Sequence, residues 1–458
     1  MLYKKSLFIF RRDLRLDDNT GLRAALKQSD LVIPCFIFDP RQVGAKNAYR
    51  SANAIQFMIE SLEDLDAQLH EKKAKLYLFH GEAEKIITQL ITKEKIDAVF
   101  INQDYTPFSI KRDNAINKVC HQHNVAFHAS HDALINPPES IMTGNGTPYA
   151  VFTAFWKKSR QIPVEKPIKL KQTNFYTKSI SSSSLHKLLE KEILPTRNKL
   201  IASHGGRDQA LKILNKIPKF TQYASTHDTP SIPTTHLSAH LKFGTISVRE
   251  THSAIAKKLG ASHPLIRQFY WRDFFSYVSY HSPFVFGHAY HAKYDNLKWN
   301  YSEKEFQAWC EGKTGFPIVD AGMRELNATG FMHNRVRMIV ASFLTKDLHI
   351  DWRWGEKYFA TQLIDYDPAV NNGNWQWAAS TGCDAQPYFR IFNPWMQQKK
   401  FDPACTYIKT WVPELAHVDN KIIHNWFKDD AIIKGYSKPI IDHATESRAA
   451  KEMYRKAK

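Results

Sequence analysis

Residues 7–38 read LFIFRRDLRLDDNTGLRAALKQSDLVIPCFIF. Two apolar, β-rich runs, Leu7–Phe10 and Leu31–Phe38, enclose a stretch with a helix-start signal: Asp18-Asn19-Thr20 stands directly before Gly21–Leu26. Short polar side chains at such a position accept hydrogen bonds from the free N–H groups of a first helical turn. The same alternation continues outward. Lys75–His80, Asp97–Asn102 and Val125–Ser130 are further short apolar runs, and Ala52–His70 and Glu82–Lys93 between them have helical periodicity. This strand–helix alternation predicts a doubly wound parallel sheet over residues 1–130. No GxGxxG and no GxxxxGK[ST] occurs there, so a dinucleotide or P-loop phosphate site is unsupported.

From 131 to 200 the pattern gives way to loop signals: Pro137-Pro138, Thr143-Gly144-Asn145-Gly146, Ser179 and Ser181–Ser184. This stretch is expected to be an interdomain linker. After 200 the strand alternation is gone, and Ser247–Leu259, Pro264–Tyr280, Pro317–Asn327 and Asn334–Thr345 read as helices. The fold class expected is an α/β doubly wound domain (1–130), a linker (131–200) and a larger all-helical domain (201–458). A chain of 458 residues exceeds what one hydrophobic core usually serves. Ten of its eleven tryptophans lie at or after Trp271, Trp156 being the exception. The chemistry is therefore expected in the helical part.

Hydrophobic residues are 43% and charged residues 24%, as in a soluble globular protein, and no apolar run reaches membrane-span length. The basic start MLYKKSLFIFRRD lacks the apolar core of a signal peptide. Five scattered cysteines without a CxxC argue against disulfides or zinc and for a reducing cytosol. No metal site is expected. The net charge of +18 is uneven: residues 141–220 hold 15 Lys and Arg against 4 Asp and Glu, whereas residues 1–140 are nearly balanced at 19 against 18. A polyanion such as nucleic acid is the natural partner, because each neutralised phosphate releases counterions; a solvated Lys-rich surface is the plainer alternative.

Between Trp352 and Pro394 the chain reads WRWGEKYFATQLIDYDPAVNNGNWQWAASTGCDAQPYFRIFNP. A core alone needs no such mixture of tryptophan, carboxylate and amide; a flat, polar-edged, redox-active ring would use all of it. Asp365 and Asp367 suit general acid–base work, metal ligation or hydrogen bonds to a cofactor, or else cap an exposed turn. Asn371-Asn372-Gly373-Asn374 suggests a tight turn approaching a ligand. On a helix Trp375 and Trp377 would face different directions, one toward a cofactor and one toward a separate cleft, with core packing as the alternative. The stretch Gln268–Phe275 suits an unstacked base held by aromatic faces, with Arg272 for a phosphate, and equally an amphipathic helix with an ion pair. Asn334, Arg337 and Met338 share one helical turn. Thr234-Thr235-His236-Leu237-Ser238 after Pro233 suits a helix start directed at a phosphate.

Taken together, FRRDLRLDDNTGL, Gly146–Lys157, WRDF, EGKTGFPIVDAGMREL, MHNRVRMIVASFL, DWRWGEKYF and DYDPAVNNGNWQWAASTGCDAQPYFRIFNP resemble, in order and over nearly the whole chain, the photolyase/cryptochrome family. The chain is most like its class I cyclobutane pyrimidine dimer DNA photolyases. The resemblance implies a catalytic FAD, active when fully reduced. Tyr223, Thr234, Thr235, His236, Leu237 and Ser238 would hold its phosphates and ribityl chain. Asn334, Arg337, Asp365, Tyr366, Asp367, Asn371 and Trp375 would surround the ring and ribose, with Arg272 also near the cofactor. Trp375, Trp352 and Trp299 match the family's electron-carrying tryptophan chain. Trp271 and Trp377 match the aromatic walls around a flipped dimer, and Gln268, Arg272, Asn334, Arg335, Met338 and Gln397 match positions near the substrate or its phosphates. Gln268 and Asn371 join the three tryptophans as the catalytic set.

The implied activity is light-dependent repair of UV-damaged DNA: the excited flavin gives one electron to the dimer, the cyclobutane ring splits, and the electron returns. Dimer photolyases typically carry Glu where this chain has Gln268, and Gln there is familiar in (6-4) photolyases and animal cryptochromes. Those relatives carry His at the positions of Asn334 and Met338, so dimer repair is the expected activity, with a cryptochrome-type photoreceptor or (6-4) photolyase as alternatives. His227 and His236 stand where relatives often have Arg. The resemblance further implies an antenna chromophore, methenyltetrahydrofolate or a deazaflavin, and a monomeric cytoplasmic protein.

Overall fold

A computed structural model describes residues 1–182, 193, 196–428 and 430–457. It groups them into two compact units. The first comprises residues 1–199, 203–221 and 235–281, and the second 200–202, 222–234 and 282–458. Ser183, Ser184 and most of the linker's end lie outside the described residues.

The first unit carries one five-stranded sheet of β1 (Tyr3–Phe10), β2 (Ser29–Phe38), β3 (Tyr77–His80), β4 (Ala98–Asn102) and β5 (Ala126–Ser130), in the order β3-β2-β1-β4-β5. Every pairing is parallel, with Leu7 opposite Ile33 on one side and Val99 on the other. The switch of direction at β1 is the doubly wound arrangement that the alternation predicts. Parallel strands covered on both faces read as continuous apolar runs, and Leu7, Phe8, Ile9 and Phe10 are all buried. Asn19 caps the helix Thr20–Gln28, its side chain accepting from the Leu22 N–H.

The expected linker holds a helix of its own, α1 (Phe152–Ser159). Residues 203–221 and 235–281, expected with the helical domain, pack instead with the sheet, and among them is α2 (Pro264–His281). Electrostatics supply the reason. Arg249 bonds Asp18 Oδ2 through Nε at 2.9 Å and Asp132 Oδ1 through Nη2 at 2.8 Å, and Arg15 holds the other Asp132 oxygen at 2.6 Å. Burial alone would raise the Asp132 carboxyl, but the two guanidiniums outweigh it and hold it at about 2. Removing one partner from such a set leaves a buried charge uncompensated, at a cost of ~3–5 kcal/mol.

The second unit is helical: among its described residues no strand ladder forms, only isolated bridges. The helices that matter here are α3 (Asn334–Lys346), α4 (Trp352–Gln362), α5 (Pro368–Ala379) and α6 (His443–Arg455). Side chains fix their starts: His333 accepts from Arg335 N, Asp351 from Arg353 N, and Asp367 from Ala369 N and Val370 N with Pro368 in the first turn. Helix α6 is tied down by His443 on Asp347 and by His349 on Glu446 at 2.8 Å. Trp309, Trp352 and Trp426 are among the largest fully buried side chains. All five cysteines are buried and none is in a disulfide, and among the described residues no helix is long and apolar enough to cross a membrane.

Candidate functional site

Helices α3 and α5, with the loop after α4, bring the second unit's candidate residues together. Arg337, one turn into α3, meets Asp365 in a bidentate pair, Nη1–Oδ1 3.2 Å and Nη2–Oδ2 3.0 Å, while its Nε donates to the Met332 carbonyl at 2.7 Å. Bidentate Arg–carboxylate geometry fixes orientation as well as energy. Asp367, two residues on, is buried and spends one oxygen on the first turn of α5. Tyr366 between them is half-buried.

The Asn371–Asn374 run is helical and not the tight turn expected from it. Its amides find partners in the helix: Asn372 donates outside α5 to the Val285 carbonyl, and the exposed Asn374 to the Val370 carbonyl four residues back. Gln376 adds bonds to Val285, His288 and Asn372. Asn371 donates through Nδ2 to the backbone and side-chain oxygens of Glu356 at 3.0 and 3.2 Å. Burial pushes the Glu356 carboxyl up to about 7, against the lowering effect of that Asn371 bond. Glu356 escaped the sequence reading. Its one available signal was its place one turn after Trp352, inside the Trp-rich stretch.

The helical arrangement separates the two neighbouring tryptophans as expected. Trp375 is buried, 5.0 Å from Phe359 and 6.1 Å from Trp309 between ring centroids, whereas Trp377 is half-buried. Gly355 makes room for Trp375, since a Cβ on that glycine would lie 2.2 Å from the indole. Trp352 and Trp299 are also buried, and neither indole N–H has a hydrogen-bond partner, unlike Trp309, which donates to Val340. An unpaired buried donor costs ~1–3 kcal/mol, which plain core filling gives no reason to retain.

Asn334 is exposed and its amide lies 3.8 Å from the Met338 sulfur. Arg335 is already engaged, paired with Asp228 at 2.7 Å and packed on Phe401. The Gln397 Oε1 is buried without a partner. Tyr223 and Thr234 are half-buried in this unit, and Tyr223 lies 5.2 Å from the His227 ring.

Thr235, His236, Leu237 and Ser238 belong to the first unit. There His236 enters a seven-residue helix at a φ of 54°, Leu237 is buried and Ser238 exposed. Helix α2 of the same unit exposes Gln268 and stacks Trp271 on Phe152, centroids 3.5 Å apart and planes within 8°. Arg272 is not left free for a phosphate. It donates to the Ala133 carbonyl at 2.7 Å and to Asp273, whose other oxygen accepts from Ile135 N.

A family model described as the FAD binding domain of DNA photolyase matches residues 265–456, and one described as DNA photolyase matches residues 6–171. A deoxyribodipyrimidine photo-lyase of Synechococcus sp. is 35% identical over 99% of this chain and 96% of its own length. The chain belongs to the DNA photolyase family. Among solved structures, an archaeal photolyase from Sulfolobus tokodaii with two FAD molecules is 45% identical at a TM-score of 0.89, covering 98% of this chain and 99% of its own. A cryptochrome from Synechocystis sp. matches at 26% identity and a TM-score of 0.89, covering 98% of this chain and 99% of its own. The photolyase resemblance read from the residues is thus borne out over the full length, as is the fold class.

Proposed function

We propose that this chain is a light-dependent DNA repair lyase that uses FAD to split cyclobutane pyrimidine dimers. The carrying observation is the full-length likeness to deoxyribodipyrimidine photo-lyases, at 35% identity across 99% of the chain. The donor set of the second unit fits the cofactor: it holds a paired guanidinium and carboxylate, and an amide one helical turn before the buried Trp375 indole. Reduced FAD, when bound and excited, supplies the single electron that opens the dimer and afterwards takes it back.

The residues have distinct parts. Arg337 and Asp365 hold each other in place, so each presents a fixed edge to the ring and ribose. The Asn371 Nδ2 is committed to Glu356, which leaves the amide oxygen as an acceptor for a ring-edge N–H. Asn334, Tyr366, Asp367 and Trp375 complete the ring side; Tyr223 and Thr234–Ser238 serve the phosphates and ribityl chain. Trp375, Trp352 and Trp299 form the electron path. Without an acceptor at Nε1, Trp352 and Trp299 have no local base to take the indole proton once oxidised.

Toward DNA, Gln268 offers amide hydrogen bonds to a pyrimidine edge, Trp271 and Trp377 offer aromatic faces, and Asn334 and Met338 are further substrate contacts. The orphaned Gln397 oxygen is ready for an N–H donor. Arg272 and Arg335 act by positioning, since both already hold protein partners. The protein works as a cytoplasmic monomer with an antenna chromophore on its α/β domain. Separate oligonucleotides bearing a cyclobutane dimer or a (6-4) lesion, incubated with reduced protein in light and in dark, test the reading. Light-dependent restoration of the dimer alone is expected. Restoration of neither would move the protein to the photoreceptor class.

A further inference from the structure

Trp156 stands apart from the other tryptophans, in the segment that holds 15 basic against 4 acidic residues. In the structure it is one rung of a ladder in the first unit. Phe152 and Trp156 of α1 and Arg160, its C-cap in helical conformation, succeed one another at intervals of four, hence on one face, and Arg267 and Trp271 do the same on α2. The two stripes interleave. Trp271 stacks on Phe152, the Arg267 guanidinium lies 5.3 Å from the Phe152 centroid and 4.8 Å from that of Trp156, and Arg160 lies 4.8 Å from Trp156. Both guanidinium residues are exposed, as are Lys157 and Lys158 beside them. Among the described residues no carboxylate pairs with Arg160 or Arg267, in contrast to Arg272 and Arg335.

We propose that this ladder is a binding track for the DNA strand flanking the lesion, with Arg160 and Arg267 on successive phosphates and the Trp156 ring available to stack on an unpaired base. The inference rests on Trp271 being a wall of the lesion pocket, which makes the ladder's inner end the place where the strand leaves it. Eight residues of helix, from Phe152 to Arg160, rise about 12 Å, which matches roughly three to four nucleotides at 3.4 Å each. Guanidiniums stacked on aromatic faces keep their N–H edges outward, free for phosphate oxygens. Aromatic rings alternating with cations are what a sequence-tolerant strand contact requires.

The test is binding in the dark, by fluorescence anisotropy over a salt series, of duplex and single-stranded oligonucleotides with and without a dimer. The double variant Arg160→Gln/Arg267→Gln should lower the log–log salt slope by about 1.8 on duplex, near 0.9 per lost phosphate contact. The loss should be alike for damaged and undamaged DNA, and repair at saturating enzyme should be unchanged. Trp156→Leu should weaken single-strand binding about 5- to 150-fold while leaving the salt slope intact. Trimming the oligonucleotide from one end only should erase the difference between wild type and the double variant. An unchanged slope in a double variant of wild-type thermal midpoint overturns the track, as does a defect that persists on an isolated lesion dinucleotide. A fallen slope in a protein that repairs no lesion keeps the track and removes the lesion reading.

Discussion

Glu356 offers a direct check on the buried chemistry of the second unit. Its carboxyl has an ordinary value of 4.5 and is raised to about 7 by burial, with only the Asn371 bond opposing. Between those two values the unfolded chain has lost the proton and the folded chain keeps it, so folding takes up a proton. Stability therefore falls as pH rises through this window, by about 1.36 kcal/mol per pH step. Below 4.5 both states are protonated; above 7 both are ionised and the full cost, about 3 kcal/mol, is in force. Glu356→Gln removes the titration while keeping a side-chain oxygen for Asn371 Nδ2. The variant should match wild type near pH 4.5 and exceed it by up to about 3 kcal/mol near pH 8, or about 3 °C in thermal midpoint for a chain of 458 residues. Circular-dichroism melts across this range read the difference directly. A gap independent of pH, or a wild type that is the more stable protein at about pH 8, would refute the reasoning.

Gly355→Ala brings its Cβ to 2.2 Å from Trp375, so the midpoint should fall by the equivalent of ~1–3 kcal/mol despite alanine's better helix propensity; a more stable variant would mean the indole does not sit there. Asp365→Asn keeps shape but leaves Arg337 without its countercharge, and FAD retained per protein after gel filtration should drop; an unchanged flavin ratio counts against the assigned ring-side role. Gln268→Glu should raise the single-turnover repair yield per absorbed photon, and no gain or a loss would sink the assignment of Gln268 to the damaged pyrimidine.

Much of this was legible in the residues because local and tertiary signals agree. LFIF and LVIPCFIF are strands since parallel neighbours bury both their faces. Asn334–Lys346 and Pro317–Thr329 begin where the pattern starts and run one or two residues past the ends read from it. The Asn371–Asn374 run misled because its turn propensity is local, while the carbonyls of Val285 and Glu356 that satisfy its buried amides belong to the fold. For Arg272 the ion-pair alternative, met by Asp273, was legible in the residues, but its second acceptor was not, being a backbone carbonyl 139 positions away. Glu356 and Gly355 carry no motif at all; one matters through burial and the other through the volume it leaves to an indole. The packing of residues 235–281 with the sheet was illegible because single buried charges such as Arg249 look like any surface arginine in sequence.

That last cluster also bears on how the chain is made. Asp132 and Arg249 are 117 positions apart. At roughly 5–20 residues per second, translation reaches Arg249 about 6–23 s after Asp132 has been added. Through that interval all five strands exist, yet Asp18 lacks its guanidinium and Asp132 has only that of Arg15. The sheet therefore cannot close over these carboxylates as it emerges from the ribosome. It must wait, with that end wet, for a helix encoded more than a hundred codons downstream.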